Sequence, residues 1–130
     1  VVQAEDGIIE WAVTGVQTCV LPIATYENFE VNHLSREQGD FYVGNLIDDT
    51  GLQEKVGTEK YDVVVANILA DVIIPMAPVI PARLKKDGVF ITSGIIDFKE
   101  NEVREAIEKA GMTVLEVTHQ GEWVSITARK

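Results

Sequence analysis

Residues 62–67 read Asp62-Val63-Val64-Val65-Ala66-Asn67, a run of β-branched and small residues that ends on an amide. A continuous apolar run of this length is typical of a strand that is buried on both faces, as in a parallel sheet. Asn67 stands at the carboxyl end of this strand, where ligands bind in open α/β sheets. The run therefore predicts a central strand with a candidate binding position at its tip.

The segment after this strand, residues 69–85, is dense in apolar residues but is interrupted by prolines. Pro75, Pro78 and Pro81 recur at every third position. Interior proline removes a backbone donor and clashes with the preceding turn. We therefore expect a helix that starts late, breaks or kinks, and ends at 85–86.

A second strand and a second helix follow. Residues 89–95 predict the strand. Asp97, followed three residues later by Glu100, has the form of a capping box. Apolar residues at helical spacing across 103–110 form one face, and Gly111 has the position of a helix-ending glycine. This is the best-specified helix of the chain.

Two strands close the sequence, at 112–118 and 123–128. The link between them, 119–122, is too short for a parallel crossover, so the pair should be antiparallel. The order strand, helix, strand, helix, strand, strand predicts an α/β fold with a mostly parallel sheet and an antiparallel C-terminal hairpin.

The secondary-structure signals before residue 62 are weaker. Residues 24–34 have weak helical spacing, and 41–43 predict a short strand closed by Gly44 and Asn45. Residues 48–60 are polar and punctuated by glycine, so they predict a connection with one helical turn around Leu52.

Composition changes near residue 23. Residues 1–23 contain no Lys or Arg, and 13–23 resemble the conceptual translation of a widely used sequencing adaptor, with Val20 in place of alanine. We therefore expect 1–23 to be a non-native segment; the alternative is a divergent strand-turn-strand start. The single cysteine, Cys19, lies in this segment, and one cysteine allows neither an intrachain disulfide nor a cysteine zinc site.

Charge and hydropathy exclude several classes of protein. The net charge is −10, which argues against binding nucleic acid directly through bulk electrostatics. Acidity can attract a basic partner, or it can serve solubility alone. No apolar run approaches the roughly 18–20 residues of a membrane span, and the N-terminus lacks a basic signal region. We expect a cytoplasmic protein that does not contact a membrane.

Three stretches resemble one family, the class I, S-adenosylmethionine-dependent methyltransferases that act on ribosomal protein L11. Residues 62–70 are similar to the segment at the tip of strand 4 in that family, 91–96 to strand 5, and 120–130 to the C-terminus. The resemblance covers about 24–130, which we expect to be the C-terminal part of the methyltransferase domain. It implies a partial Rossmann-like fold with strands 1 and 2 missing.

The resemblance also implies an activity. Members of this family trimethylate lysine and N-terminal amines on ribosomal protein L11, with S-adenosyl-L-methionine as cofactor. Asn67 matches a catalytic and cofactor-binding position, where an uncharged acceptor orients the amine. The alternative is that Asn67 ends a strand and caps the next helix.

Asn45 and Leu46 match positions near the adenine of the cofactor. The family often has aspartate where this chain has Asn45, and a turn-forming Gly-Asn pair explains the residues equally well. His33 and His119 have no partners at metal spacing, so we expect no metal site.

The glycine-rich loop that follows strand 1 of this fold is absent from the 130 residues. Without strands 1 and 2, Asp62–Ile68 should form an exposed apolar edge, and the chain should bind the cofactor poorly. The alternatives are a methyltransferase of nucleic-acid amines, a non-enzymatic binding module and a nicotinamide-dependent enzyme. Asn67-Ile68-Leu69-Ala70 argues against the first, which usually carries Asn-Pro-Pro, and the terminal hairpin argues against the last.

Overall fold

The computed structural model describes residues 2–5, 8–15, 21–35, 37 and 39–130. Its strands are β1 (Val2–Glu5), β2 (Ile8–Gly15), β3 (Gly39–Val43), β4 (Tyr61–Asn67), β5 (Leu84–Ile96), β6 (Thr113–Gln120) and β7 (Trp123–Arg129). Its helices are α1 (Leu21–Val31), α2 (Thr50–Val56), α3 (Ala70–Met76) and α4 (Glu100–Lys109), with 3-10 turns at Ala77–Val79 and Asp97–Lys99. Cys19 lies outside the described residues.

The described strands form one sheet in the order β3-β2-β1-β4-β5-β7-β6. β2 pairs with β3 and β4 with β5 in parallel, whereas β1 is antiparallel to both β2 and β4. β7 is antiparallel to β5 and β6. All strands except β1 and β7 therefore share one direction, which confirms the predicted α/β class and the antiparallel C-terminal hairpin.

The prediction of an open edge at Asp62–Ile68 is wrong. The hairpin of β1 and β2 lies between β3 and β4, and Val2 pairs with Val63. A row of unpaired backbone donors and acceptors is stabilised by any strand that supplies partners, which is the physical reason for this pairing. Because β1 runs antiparallel, this hairpin is not the parallel pair that the family's strands 1 and 2 would supply. The non-native origin of residues 1–23 stays a prediction.

Helix α3 is shorter than expected. The predicted break is confirmed, since α3 contains Pro75, ends at Met76 and passes into the 3-10 turn with Pro78. The predicted late start is wrong, because the helix begins at Ala70, directly after its N-cap residue Leu69. The predicted end at 85–86 is wrong because these residues belong to β5, in which Leu84 pairs with Tyr61. Prolines remove the donors that would continue the helix, and the parallel ladder with β4 recruits the residues beyond.

Helix α4 keeps its predicted apolar face but not its predicted cap. Val103 and Ile107 are fully buried, and Gly111 follows the helix with φ of +94°. The capping box of Asp97 and Glu100 is wrong, since no side chain caps the helix. Asp97 starts a 3-10 turn instead, and its N–H donates to the Glu122 carbonyl at 2.9 Å.

One face of the sheet carries the core. Phe90, Ile95 and Ile126 from the strands are fully buried together with Ile73 and Ile107 from the helices, within one apolar cluster. The expectation that β4 is buried on both faces is wrong, because Val65 on the opposite face is 47% exposed.

The remaining predicted elements are confirmed by α1, β3 and the β6–β7 hairpin. Helix α2 is longer than the single predicted turn. Its start is fixed by Asp49, whose carboxylate accepts the Leu52 N–H at 3.0 Å. This N-cap stabilises the first turn, and Leu52 and Val56 bury the apolar side of the helix.

Candidate functional site

Asn67 is the polar residue at the tip of β4. Asn67 pairs with Ser93 of β5 and is exposed to solvent. Its side chain makes no hydrogen bond to the described part of the protein. The alternative role as a helix cap is not realised, since Leu69 is the N-cap residue of α3 and no side chain caps that helix. The amide of Asn67 is therefore available to a ligand.

Gly94 is the neighbour that leaves room for this amide. A Cβ atom on Gly94 would lie 2.7 Å from Oδ1 of Asn67, and the glycine has φ of +76°. The prediction from sequence missed Gly94 as a site residue. Its signal was visible, because a glycine inside a predicted strand often marks a bulge or a close approach of another group.

Asn45 and Leu46 follow β3 at the same edge of the sheet. Oδ1 of Asn45 accepts the Ile47 N–H at 3.0 Å, which closes a turn. Leu46 is 5% exposed and packs in the core, so its side chain is not available to a ligand. This geometry is the one expected of a turn-forming Gly-Asn pair.

The structure places Asn45 and Asn67 at one sheet edge without bringing them together. β2 and β1 lie between β3 and β4, and three strand spacings of about 4.8 Å give a separation of about 14 Å. Only a ligand that extends along the edge could contact both residues.

An ion-pair network joins the starts of α3 and α4. Nζ of Lys99 lies 3.7 Å from Asp71 at the start of α3 and 3.2 Å from Glu102 of α4. The hydrogen bond and charge of Glu102, with the charge of Asp71, raise the pKa of Lys99. Asp71 is thus an ion-pair partner of Lys99 in the first turn of α3, where an acidic residue suits the positive end of the helix dipole.

No metal centre is present in the described part of the chain. The structure describes the side chains of residues 26–35, 37, 39, 40, 42 and 44–130. Among these residues, no group of three or more His, Cys, Asp or Glu side chains could hold a metal ion. Nε2 of His119 lies 2.6 Å from the Glu100 carboxylate, so this histidine joins β6 to α4. No helix in the described ranges is long and apolar enough to span a bilayer.

Comparison with known proteins decides the family. A profile described as ribosomal protein L11 methyltransferase (PrmA) matches residues 16–130. The chain belongs to this family. The match begins inside segment 1–23, so the boundary predicted for that segment stays untested.

Curated relatives carry the same description. The ribosomal protein L11 methyltransferase of Agathobacter rectalis is 76% identical over 108 residues, which cover 83% of this chain and 33% of the relative. The ribosomal protein L11 methyltransferase of Lachnospira eligens is 49% identical over 109 residues, which cover 83% of this chain and 34% of the relative. The chain thus spans about a third of the length of these relatives.

Solved structures agree with the fold. The crystal structure of ribosomal protein L11 methylase from Lactobacillus delbrueckii subsp. bulgaricus superposes with a TM-score of 0.77 at 23% identity, over 92% of this chain and 57% of that one. A fibrillarin pre-rRNA processing protein from Methanococcus jannaschii superposes with a TM-score of 0.67 at 16% identity, over 91% of this chain and 54% of that one. At these identities the likeness supports the Rossmann-like fold alone.

Proposed function

We propose that this chain is the C-terminal part of an S-adenosyl-L-methionine-dependent enzyme that methylates lysine and N-terminal amines of ribosomal protein L11. The observation that carries the proposal is the unengaged amide of Asn67, at the carboxyl end of β4, in a chain of this family. A ribosomal protein substrate implies that the enzyme acts in the cytoplasm. The net charge of −10 suits a basic protein partner.

Asn67 can orient an amine for methyl transfer. Its Oδ1 accepts an N–H of a neutral amine, which turns the nitrogen lone pair toward a neighbouring electrophile. An uncharged amide has no acidic proton to give, so it does not convert the amine to an unreactive ammonium ion. S-Adenosylmethionine, when bound, supplies the methyl group on a sulfonium centre. Much of the barrier to such a reaction can be lowered by positioning alone.

The cofactor site is incomplete within these 130 residues. Asn67 fits a cofactor or amine contact, and the side-chain nitrogen of Asn45 remains available, but Leu46 is in the core. The sequence has no glycine-rich loop that would let the backbone approach the cofactor. We therefore propose that the chain as printed binds S-adenosylmethionine weakly and transfers methyl groups poorly.

The role of Asn67 is testable in a complete enzyme. Residues 24–130 are joined to the upstream part of the Agathobacter rectalis relative, and this chimeric enzyme is assayed with labelled S-adenosylmethionine and ribosomal protein L11. Asn67→Ala should lower kcat by about 100-fold, because removal of one positioned polar group at a reacting centre has costs of this order.

The matched control is Asn101→Ala, an exposed asparagine on α4, which should leave kcat unchanged. Circular dichroism and thermal unfolding establish that both variants fold. If Asn67→Ala retains the kcat of the parent enzyme, the proposed role of Asn67 is wrong. If the chimeric enzyme methylates other substrates but not ribosomal protein L11, the proposed substrate is wrong.

A further inference from the structure

β5 contains a β-bulge at Ser93 and Gly94, next to Asn67 on the neighbouring strand. β5 and β4 stay in register from the pair Val63 and Val89 to the pair Asn67 and Ser93. On its other side, the register of β5 with β7 shifts between Thr92 and Ile95. Thr92 faces Ile126 and Ile95 faces Val124, so Ser93 and Gly94 together stand opposite the single residue Ser125. Two residues opposite one is the pattern of a β-bulge.

Two features hold the bulge in place. Gly94 adopts φ of +76°, a conformation that side-chain-bearing residues rarely take. Ser125, the residue opposite, donates its hydroxyl to the Thr92 carbonyl at 3.2 Å. This bond gives the Thr92 carbonyl a partner where the strand ladder is interrupted.

The bulge brings the backbone of β5 against the Asn67 side chain. An atom at the Cβ position of Gly94 would be 2.7 Å from Oδ1 of Asn67, 3.3 Å from the Ile68 carbonyl oxygen and 3.5 Å from the Ile68 nitrogen. The first distance is below any normal contact. The amide of Asn67 therefore occupies the space that a side chain at position 94 would need.

This contact matters because Asn67 has no hydrogen bond to the described residues that would orient its amide. In this conformation Oδ1 of Asn67 stands where only a residue without a side chain at position 94 leaves room for it. We propose that Gly94 is a positioning residue for the Asn67 amide, and that its missing side chain sets the direction from which Asn67 receives the amine. The inference rests on the function proposed above for Asn67.

The first test needs neither cofactor nor substrate. Thermal unfolding of the 130-residue chain is measured for Gly94→Ala in the parent background and in an Asn67→Ala background. If the added methyl group contacts the Asn67 amide, shortening residue 67 relieves part of the clash. The loss in Tm should then be clearly smaller in the Asn67→Ala background.

Gly111→Ala is the matched control. Gly111 also has a positive φ, of +94°, but nothing lies within 4 Å of a Cβ at that position. Its substitution introduces a comparable backbone strain without the contact, so its loss in Tm should be the same in both backgrounds. An equal loss in both backgrounds for Gly94→Ala as well would overturn the inference.

The second test distinguishes positioning from a structural role. In the chimeric enzyme, Gly94→Ala should lower kcat by about 100-fold with little change in KM for S-adenosylmethionine, because a small misplacement of a reacting group has an effect of this size. In the Asn67→Ala background, Gly94→Ala should cause no further loss of kcat. Gly111→Ala should keep the parent kcat in both backgrounds.

The outcomes separate this inference from the proposed function. If Asn67→Ala lowers kcat but Gly94→Ala behaves like Gly111→Ala, the positioning role is wrong and the role of Asn67 stands. If the two losses of kcat multiply in the double variant, Gly94 acts independently of Asn67 and the inference is also wrong. If Asn67→Ala retains the parent kcat, both proposals are wrong.

Discussion

Asn67 is the site residue whose position follows most directly from the amino-acid sequence. Its place at the end of a continuous apolar run indicated a strand tip, and the structure puts it there with a free amide. The sequence marks Gly94 as a glycine inside a predicted strand, but it does not reveal the contact with Asn67, because that contact depends on a bulge. The bulge depends in turn on pairing with Ser125, about thirty residues further along the chain.

Thr92 is a buried residue whose hydrogen bonding is incomplete. It is fully buried, and its Oγ1 has no hydrogen-bond partner in the described structure. An unpartnered hydroxyl in the core destabilises the protein, and valine has nearly the same shape. We expect Thr92→Val to raise the free energy of unfolding by about 1 kcal/mol, measured by urea denaturation.

Thr118→Val on the exposed part of β6 is the control for Thr92 and should change stability by less than about 0.5 kcal/mol. A Thr92→Val protein that is less stable than the parent would contradict the account, since the hydroxyl would then have a stabilising partner.

Elements whose signals are local were predictable. The apolar face of α4 repeats within the helix itself, and Gly111 marks its end, so both followed from the sequence. The failed cap at Asp97 has a different origin. Its backbone N–H bonds to Glu122 in the distant hairpin, and the Glu100 carboxylate bonds to His119. Contacts between distant elements override a local pattern, and no periodicity reveals them.

Lys99 links α3 and α4, and its raised pKa has a consequence for stability. The folded state holds the Lys99 proton more tightly than the unfolded chain, mainly because of Glu102. The stabilisation is fully present below the ordinary pKa of 10.5 and is lost as pH rises through the higher folded value. Because the pair is exposed to solvent, the effect should be small.

The measurement for Lys99 is Tm as a function of pH for the parent and for Lys99→Met. The parent should be slightly more stable at pH 8, and the difference should disappear above pH 10.5. A difference that grows at high pH would contradict the direction of the shift.

At the scale of the whole molecule, the described strands form one continuous sheet, whereas the sequence lacks the glycine-rich loop of a cofactor site. The β1–β2 hairpin supplies backbone partners for β3 and β4, so the order of the sheet is complete in the described residues. Backbone pairing needs only an extended segment, whereas cofactor binding needs a glycine-rich loop of defined sequence. The fold could therefore be predicted from the later elements, but the path of residues 2–15 could not, because their pairing is not encoded in any periodic pattern.

We propose that this chain carries part of a methyltransferase site but not its cofactor loop. The most direct measurement is calorimetric titration of the 130-residue chain with S-adenosylhomocysteine, beside the same titration of the chimeric enzyme. We expect no micromolar binding to the chain and micromolar binding to the chimeric enzyme. Micromolar binding to the 130-residue chain itself would contradict it, because the site would then be complete without the glycine-rich loop.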